Sequence, residues 1–203
     1  MKNRNGSLSH IKVLDFSQVI LGPSATAVLA DHGADVIKVE RTGSGELARA
    51  FGPFLDGVGL SYAALNRNKR SIAVNLKSEE GLTLVLRLAD DSDVVINNFR
   101  PGVMESLGLG YEHLKKRNPR IIYATGTGFG TSGPMAESRK PGHETVAQAL
   151  TGAMVSNIGE DGVPRRIAMP VSDMTAGNLT VQGILMALIA RETTGVGQQV
   201  EVS

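Results

Sequence analysis

Short apolar, β-branched runs recur along the chain, and the stretches between them carry helical patterns. This alternation limits the fold more than any other feature of the sequence. The runs fall at residues 11–16, 35–39, 71–74, 94–96, 120–124 and 200–202. Between them, Gly22-Pro23 opens a helix through Leu29, with proline near its first turn. Ser78 caps another through Leu88, and Glu79 and Glu80 stand in its first turn, where the helix dipole favours anions. Residues 145–154 and 179–189 also read as helices. Strands alternating with helices imply βαβ units and a parallel sheet with right-handed crossovers. Ligands of such folds gather at the carboxyl ends of the strands. A site is therefore expected in the loops after Phe16, Val39, Ile96 and Ala124.

The chain has 203 residues, enough for one large domain with a sizeable core. Its net charge of +1 gives no electrostatic reason to bind nucleic acid or an anionic membrane surface. Aromatics at 4% leave little to stack on single-stranded nucleic acid. There are no cysteines, which removes disulfides, thiolate nucleophiles and cysteine-ligated metal and fits a cytoplasmic protein. The first ten residues are polar and lack the apolar segment of a signal peptide, and the apolar stretch 183–190 is too short to span a bilayer. The last strand stops at Ser203 with no closing helix, so a fragment of a longer chain is expected.

Several residues invite chemistry. Gly128-Phe129-Gly130-Thr131-Ser132-Gly133 matches the spacing of a dinucleotide-binding turn, but Pro134 follows where a helix should already be running. A glycine-rich loop is the expectation there. The four histidines, at 10, 32, 113 and 143, have no metal-ligand spacing, and His32 and His113 are expected on the surface. His143 stands beside Glu144, a pair that on its own reads first as a helix start with Glu144 in the first turn. Asp173, in "MPVSDMTAG", reads as the N-cap of the following helix. In that position it would be held ionised, backbone N–H groups beside it could hold an oxyanion, and Gly177 would leave room for a ligand. Arg41, Lys69, Arg70, Lys77 and Arg100 fall around strand ends, either as solvated surface or as a set of cations for a phosphate-bearing ligand.

Seven segments in one order then carry a resemblance: "KVLDFSQVILGPSAT", "GADVIKVERTGSGE", "LNRNKRSIAVNLKSEEG", "VVINNFRPGVMESLGLGYEHLKKRNPRIIYATGTGFGTSGP", "HETVAQALTGAM", "MPVSDMTAGN" and "ARETTGVGQQVEVS". From about residue 8 to the end, the chain resembles the class III CoA transferases, a family that includes formyl-CoA transferase, the carnitine CoA transferases and the α-methylacyl-CoA racemases. The resemblance implies an α/β fold: a Rossmann-like parallel sheet flanked by helices. Residues 8–203 would form the N-terminal part of the large domain, with a smaller second domain absent from this chain. In full-length form two chains would interlock as a homodimer.

The resemblance also implies site residues. The aspartate matching Asp173 is the transferases' nucleophile, and the acid matching Glu144 lies beside the thioester and assists. In the racemases, the residues matching His143 and Asp173 exchange the α-proton, and their dipeptide is usually His-Asp. This chain pairs His143 with Glu144, and so has features of both. For coenzyme A, Arg41 matches a residue near the adenosine. Val74, Asn75, Leu76 and Lys77 match the strand end lining that site. Asn98, Phe99 and Arg100 match the segment along the phosphate-bearing arm. Ile20 and Leu21 match the loop beside the thioester. Ser106 stands where the transferases often carry an arginine for the phosphates. The implied activity is transfer of CoA from an acyl-CoA to a free carboxylic acid through a covalent aspartyl intermediate. Coenzyme A enters as substrate, and no tightly bound cofactor or metal is expected. The alternatives are a 2-methylacyl-CoA racemase using His143 and Asp173, and a non-catalytic CoA-binding fragment.

Overall fold

The computed structural model describes residues 6–138 and 140–203. Residues 1–5, part of the segment read above for lack of a signal peptide, lie outside the described residues. The strands are β1 (Lys12–Asp15), β2 (Asp35–Glu40), β3 (Phe54–Leu55), β4 (Val58–Gly59), β5 (Arg70–Ala73), β6 (Val94–Asn97), β7 (Ile122–Gly126) and β8 (Gln199–Val202). The helices are α1 (Leu21–Asp31), α2 (Leu60–Leu65), α3 (Glu79–Asp90), α4 (Val103–Ser106), α5 (Tyr111–Arg117), α6 (Pro134–Glu137), α7 (Glu144–Leu150) and α8 (Val171–Thr194). The strands read from the sequence are all present, with ends displaced by no more than two residues. They form one parallel sheet in the order β5-β2-β1-β6-β7-β8, while β3 and β4 make a separate antiparallel hairpin.

The central strands are buried on both faces, as parallel strands under two helical layers must be. Val13, Val94, Ile96, Ile122 and Ala124 pack under α1 and α8, against Ala25, Leu29, Ile184 and Ala187. The alternate residues Leu14, Val95 and Tyr123 face the other way, toward Val85 and Ala89 of α3 and Leu114 of α5. The capping of α3 is as read: the Ser78 hydroxyl accepts from the Gly81 N–H at 3.1 Å.

Two helices differ from the sequence reading. The helix expected over 145–154 stops at Leu150, and Gly152, at φ +79°, turns the chain into a short 3-10 segment at Ala153–Ser156. The helix expected over 179–189 is one long helix, α8, which begins at Val171 and ends where Gly195 adopts φ +74°. The small residues before 179 read as a loop but belong to its first turns. Gly177 explains why. A Cβ there would lie 2.2 Å from Ser24 Oγ and 2.9 Å from the Leu21 carbonyl oxygen, so the missing side chain lets α8 press against α1. Gly177 makes room for a helix, not for a ligand.

The chain runs from β1 outward to β2 and β5, then returns to β6 on the other side of β1. The loops leaving β1 and β6 therefore diverge, and a crevice opens between them, as at the switch point of other parallel sheets. Among the described residues, no helix is long and apolar enough to cross a membrane.

Candidate active site

A cavity of about 780 Å³ occupies that crevice. The four loops expected to hold a site all reach it, through Gln18, Val19 and Ile20 after β1, Leu47 after β2, Asn98 to Arg100 after β6, and Thr127 to Gly130 after β7. The far wall comes from residues 140–145, which lead into α7, together with Arg166 and Asp173.

The rim is pinned from beneath. Asn98 holds Gln18 by two hydrogen bonds: its Oδ1 accepts from the Gln18 N–H, and its Nδ2 donates to the Gln18 carbonyl, both at 2.8 Å. Val19 has φ +66°, a left-handed conformation that costs a β-branched residue on the order of 1–3 kcal/mol. The buried Glu46 holds it there by accepting the Val19 N–H at 2.8 Å. Ser17 is fixed by a buried charge cluster. The Lys38 ammonium donates to the Ser17 carbonyl at 2.7 Å, and the Asp15 carboxylate accepts from the Ser17 N–H at 2.8 Å. Asp15 is wholly buried, with Lys69 Nζ at 3.1 Å and Lys38 Nζ at 3.9 Å. Burial alone would raise its pKa, but the two ammoniums and hydrogen bonds from Ser17 and Thr26 hold it far below the usual carboxylate range. Burial pushes Lys69 down to about 8 despite the Asp15 charge.

Asp173 and Glu144 meet at the start of α8. The N-cap of that helix is Pro170, whose side chain cannot accept a hydrogen bond, and Asp173 lies inside the first turn. The reading of Asp173 as the cap is therefore corrected. The free N–H groups of the turn are capped from another helix: Glu144 Oε1 accepts from the Ser172 N–H at 3.1 Å, and Oε2 accepts from the Asp173 N–H at 2.7 Å. Gln148 Nε2 adds a third bond to Glu144 Oε1 at 2.6 Å. Burial pushes the Glu144 pKa up, but these bonds outweigh it and bring it below its ordinary value. The Asp173 carboxylate accepts no hydrogen bond from a described residue. Burial, and then the nearby Glu144 charge, raise it to about 6, with His143 pulling the other way. The helix terminus thus holds Glu144 ionised and leaves Asp173 as the more basic carboxylate, the reverse of the expectation from sequence.

Of the residues read from sequence, the cavity brings together Ile20, Asn98, Phe99, Arg100, His143, Glu144 and Asp173. Leu21 is buried over Gly126, where a Cβ would meet its Cδ2 at 2.3 Å, so it packs rather than lines. Arg41, Val74, Asn75, Leu76 and Lys77 form a second group outside the cavity, at the adjoining ends of β2 and β5, where the Val74 N–H reaches the Glu40 carbonyl at 2.9 Å. Lys69 is neither solvated surface nor a phosphate cation but a buried partner of Asp15, and Arg70 pairs with Asp35 at 2.7 Å. Ser106 is exposed, its hydroxyl donating to the Val103 carbonyl at 2.7 Å. His32 and His113 are exposed, as expected. The glycine-rich stretch after β7 is a loop, also as expected, and α6 starts only at Pro134. Sequence reasoning missed Gln18, Val19, Thr127, Lys140 and Arg166 as lining residues. Nothing in residue type marks Val19, whose role is carried by its backbone. Lys140 and Arg166 carried a signal, since each is a cation within a few residues of His143 or Asp173.

Comparison with known proteins gives the family. Residues 8–203 match the family model described as CoA-transferase family III. The chain is 41% identical over 199 residues to an acetyl-CoA:oxalate CoA-transferase from Acetobacter aceti, covering 98% of this chain and 51% of that protein. It is 40% identical over 191 residues to the succinyl-CoA:glutarate CoA-transferase of Homo sapiens, covering 94% of this chain and 43% of that protein. Among solved structures, a CAIB/BAIF family protein from Brucella suis superposes with a TM-score of 0.91 at 38% identity, covering 98% of this chain and 53% of that one. The chain spans about half the length of the relatives it matches.

Proposed function

The chain belongs to CoA-transferase family III, and from that premise we propose that the protein it forms moves CoA from an acyl-CoA to a small free carboxylic acid through a covalent intermediate on Asp173. One observation carries the reading: Asp173 faces the cavity with a raised pKa of about 6 and no hydrogen bond to its carboxylate from a described residue, beside a second carboxylate held ionised. At pH 7 such a group is still mostly ionised, and its lone pairs are unengaged. A carboxylate so placed serves as a nucleophile.

An Asp173 oxygen attacks the thioester carbonyl carbon, the C–S bond breaks, and CoA leaves as the thiolate, giving a mixed anhydride. The thiolate then attacks the Asp173 carbonyl carbon. The donor acid departs as a carboxylate and an enzyme–CoA thioester remains. The acceptor carboxylate attacks that thioester and forms a second anhydride. The thiolate finally takes the acceptor's acyl carbon, and Asp173 is restored. No step requires net proton transfer, so Glu144 acts through position and charge. Arg41 and Lys77 at the β2 and β5 ends, with Arg100 at the cavity, suit the phosphates of CoA. Lys140 and Arg166 add cations for an anionic acceptor.

For the whole protein we extend the proposal to an interlocked cytoplasmic homodimer with a smaller second domain outside this chain. The test is to expose the full-length protein to acyl-CoA and hydroxylamine and digest it. A hydroxamate on Asp173 that depends on acyl-CoA is expected. A second reading draws on His143, which lines the same cavity and could exchange an α-proton with Asp173 as a 2-methylacyl-CoA racemase. An unmodified Asp173, together with His143-dependent deuterium uptake into such a substrate, would replace the transferase reading with this one.

A further inference from the structure

One buried polar side chain beside the site is not explained by lining the cavity. Gln148 lies one turn after Glu144 on α7 and is 0% exposed. Its amide is fully used. Nε2 donates to Glu144 Oε1 at 2.6 Å and reaches the Ile167 carbonyl at 3.3 Å, and Oε1 accepts the Ile167 N–H at 2.8 Å. Ile167 belongs to the strap that runs through Pro170 into α8, so one amide ties together the helix bearing Glu144 and the strap leading to Asp173. Pro170 gives α8 no cap of its own, and the cap from Glu144 works only if that carboxylate stays where Gln148 holds it.

We propose that Gln148 is the positioning residue of the carboxylate pair: it clamps Glu144 onto the N-terminus of α8 and fixes the strap, so that Asp173 is presented to the cavity unbonded. It touches neither the cavity nor Asp173 and acts through Glu144. The charged and titratable groups around the pair are His143 at the start of α7, Arg166 on the strap, and Lys140 and Arg100 across the cavity. None of them hydrogen-bonds the Glu144 carboxylate, so removing Gln148 leaves it the two backbone N–H groups at the start of α8 and the Ser172 side chain. The catalytic consequence rests on the transferase reading; the positioning does not.

Two variants test it. Gln148→Met keeps the shape and removes the amide. Gln148→Glu keeps an acceptor for the Ile167 N–H but offers Glu144 a donor only when the new carboxyl is protonated. Carboxylate titrations followed by ¹³C NMR on the full-length protein give a readout independent of CoA chemistry. In Gln148→Met the Glu144 midpoint is expected to rise by about one pH unit, the scale of one lost hydrogen bond to the ionised form. In Gln148→Glu the pair is expected to share a proton and titrate in two separated steps, since two carboxylates in contact cannot both ionise freely. The full-length Gln148→Glu enzyme should then transfer CoA near the wild-type rate at pH 5 and fall roughly tenfold or more by pH 8, a reversible loss that a folding defect does not produce. Midpoints for Glu144 and Asp173 within about 0.3 unit of wild type in both variants overturn the positioning role, whatever the enzyme does. Shifted midpoints in the variants, together with a wild-type protein that forms no adduct on Asp173, instead uphold the clamp and remove the transferase reading.

Discussion

Replacing Asp173 with asparagine should make the protein more stable at neutral pH. The carboxyl is raised from its ordinary 3.8 to about 6, first by burial and then by the Glu144 charge. Between roughly pH 4 and pH 6 the native state therefore holds a proton that the unfolded chain has released. Stability falls as pH rises through that window, and the whole penalty is present at pH 7. A shift of about two units corresponds to ~3 kcal/mol in a dry site. Asp173 is only half-buried beside an open cavity, so solvent screening reduces the expected figure to about 1–2 kcal/mol. Asparagine removes the charge and keeps the shape. At pH 7 the variant should gain that amount, about 2–8 °C in Tm for a chain of this size, while at pH 4, where native Asp173 is already protonated, the gain should vanish. Urea and thermal melts of both proteins at the two pH values measure this directly. A variant less stable at pH 7 would show that Asp173 is a structural carboxylate, and one equally stabilised at both would show that its charge carries no such penalty.

Other consequences follow from the same contacts. Asp15→Asn leaves the buried Lys38 and Lys69 ammoniums without a counter-charge and should cost about 3–5 kcal/mol in urea melts at pH 7. That deficit should shrink as pH rises from 6 to 8, because Lys69, without the Asp15 charge, should shed its proton earlier than in the wild type, where its pKa is about 8. Gly177→Ala forces a methyl to within 2.2 Å of Ser24 Oγ and 2.9 Å of the Leu21 carbonyl oxygen, and should destabilise by about 1–3 kcal/mol; an unchanged Tm would mean that α1 and α8 part easily. Neutralising Arg41, Lys77 and Arg100 together should weaken CoA binding by the full-length protein and flatten its dependence on salt, and calorimetry showing unchanged affinity removes them from the phosphate site.

The sheet was legible because short apolar, β-branched runs recur between helical patterns. Runs such as Val94-Val95-Ile96 are buried on both faces, as parallel strands under two helical layers must be. The start of α8 was hidden because Ser172, Asp173, Thr175 and Gly177 are all poor helix interiors by propensity, and what overrides propensity is the contact of Gly177 with α1. The site divides in the same way. Asp173, Glu144 and His143 could be named from the chain, since their types and the family resemblance both mark them. The electrostatics could not, because the cap that holds Glu144 ionised comes from a helix 28 residues away in sequence. Lys69 read as a surface cation for the same reason, its burial being decided by Asp15, 54 residues distant. Val19 carries no chemical signal, and its part in the rim is visible only as a backbone conformation.

The most direct test of the covalent route follows oxygen atoms. When the acceptor carboxylate attacks the enzyme–CoA thioester and CoA then leaves with the acceptor's acyl carbon, one acceptor oxygen stays on Asp173. The full-length protein should therefore be turned over with unlabelled acyl-CoA and an acceptor acid carrying ¹⁸O in both carboxylate positions, then digested and weighed. A gain of one ¹⁸O on the peptide bearing Asp173 in the first turnover, and on no other acidic residue, is the expected result. Transfer of CoA at full rate with Asp173 unlabelled would mean that no anhydride forms on this residue, and would contradict its role as the nucleophile.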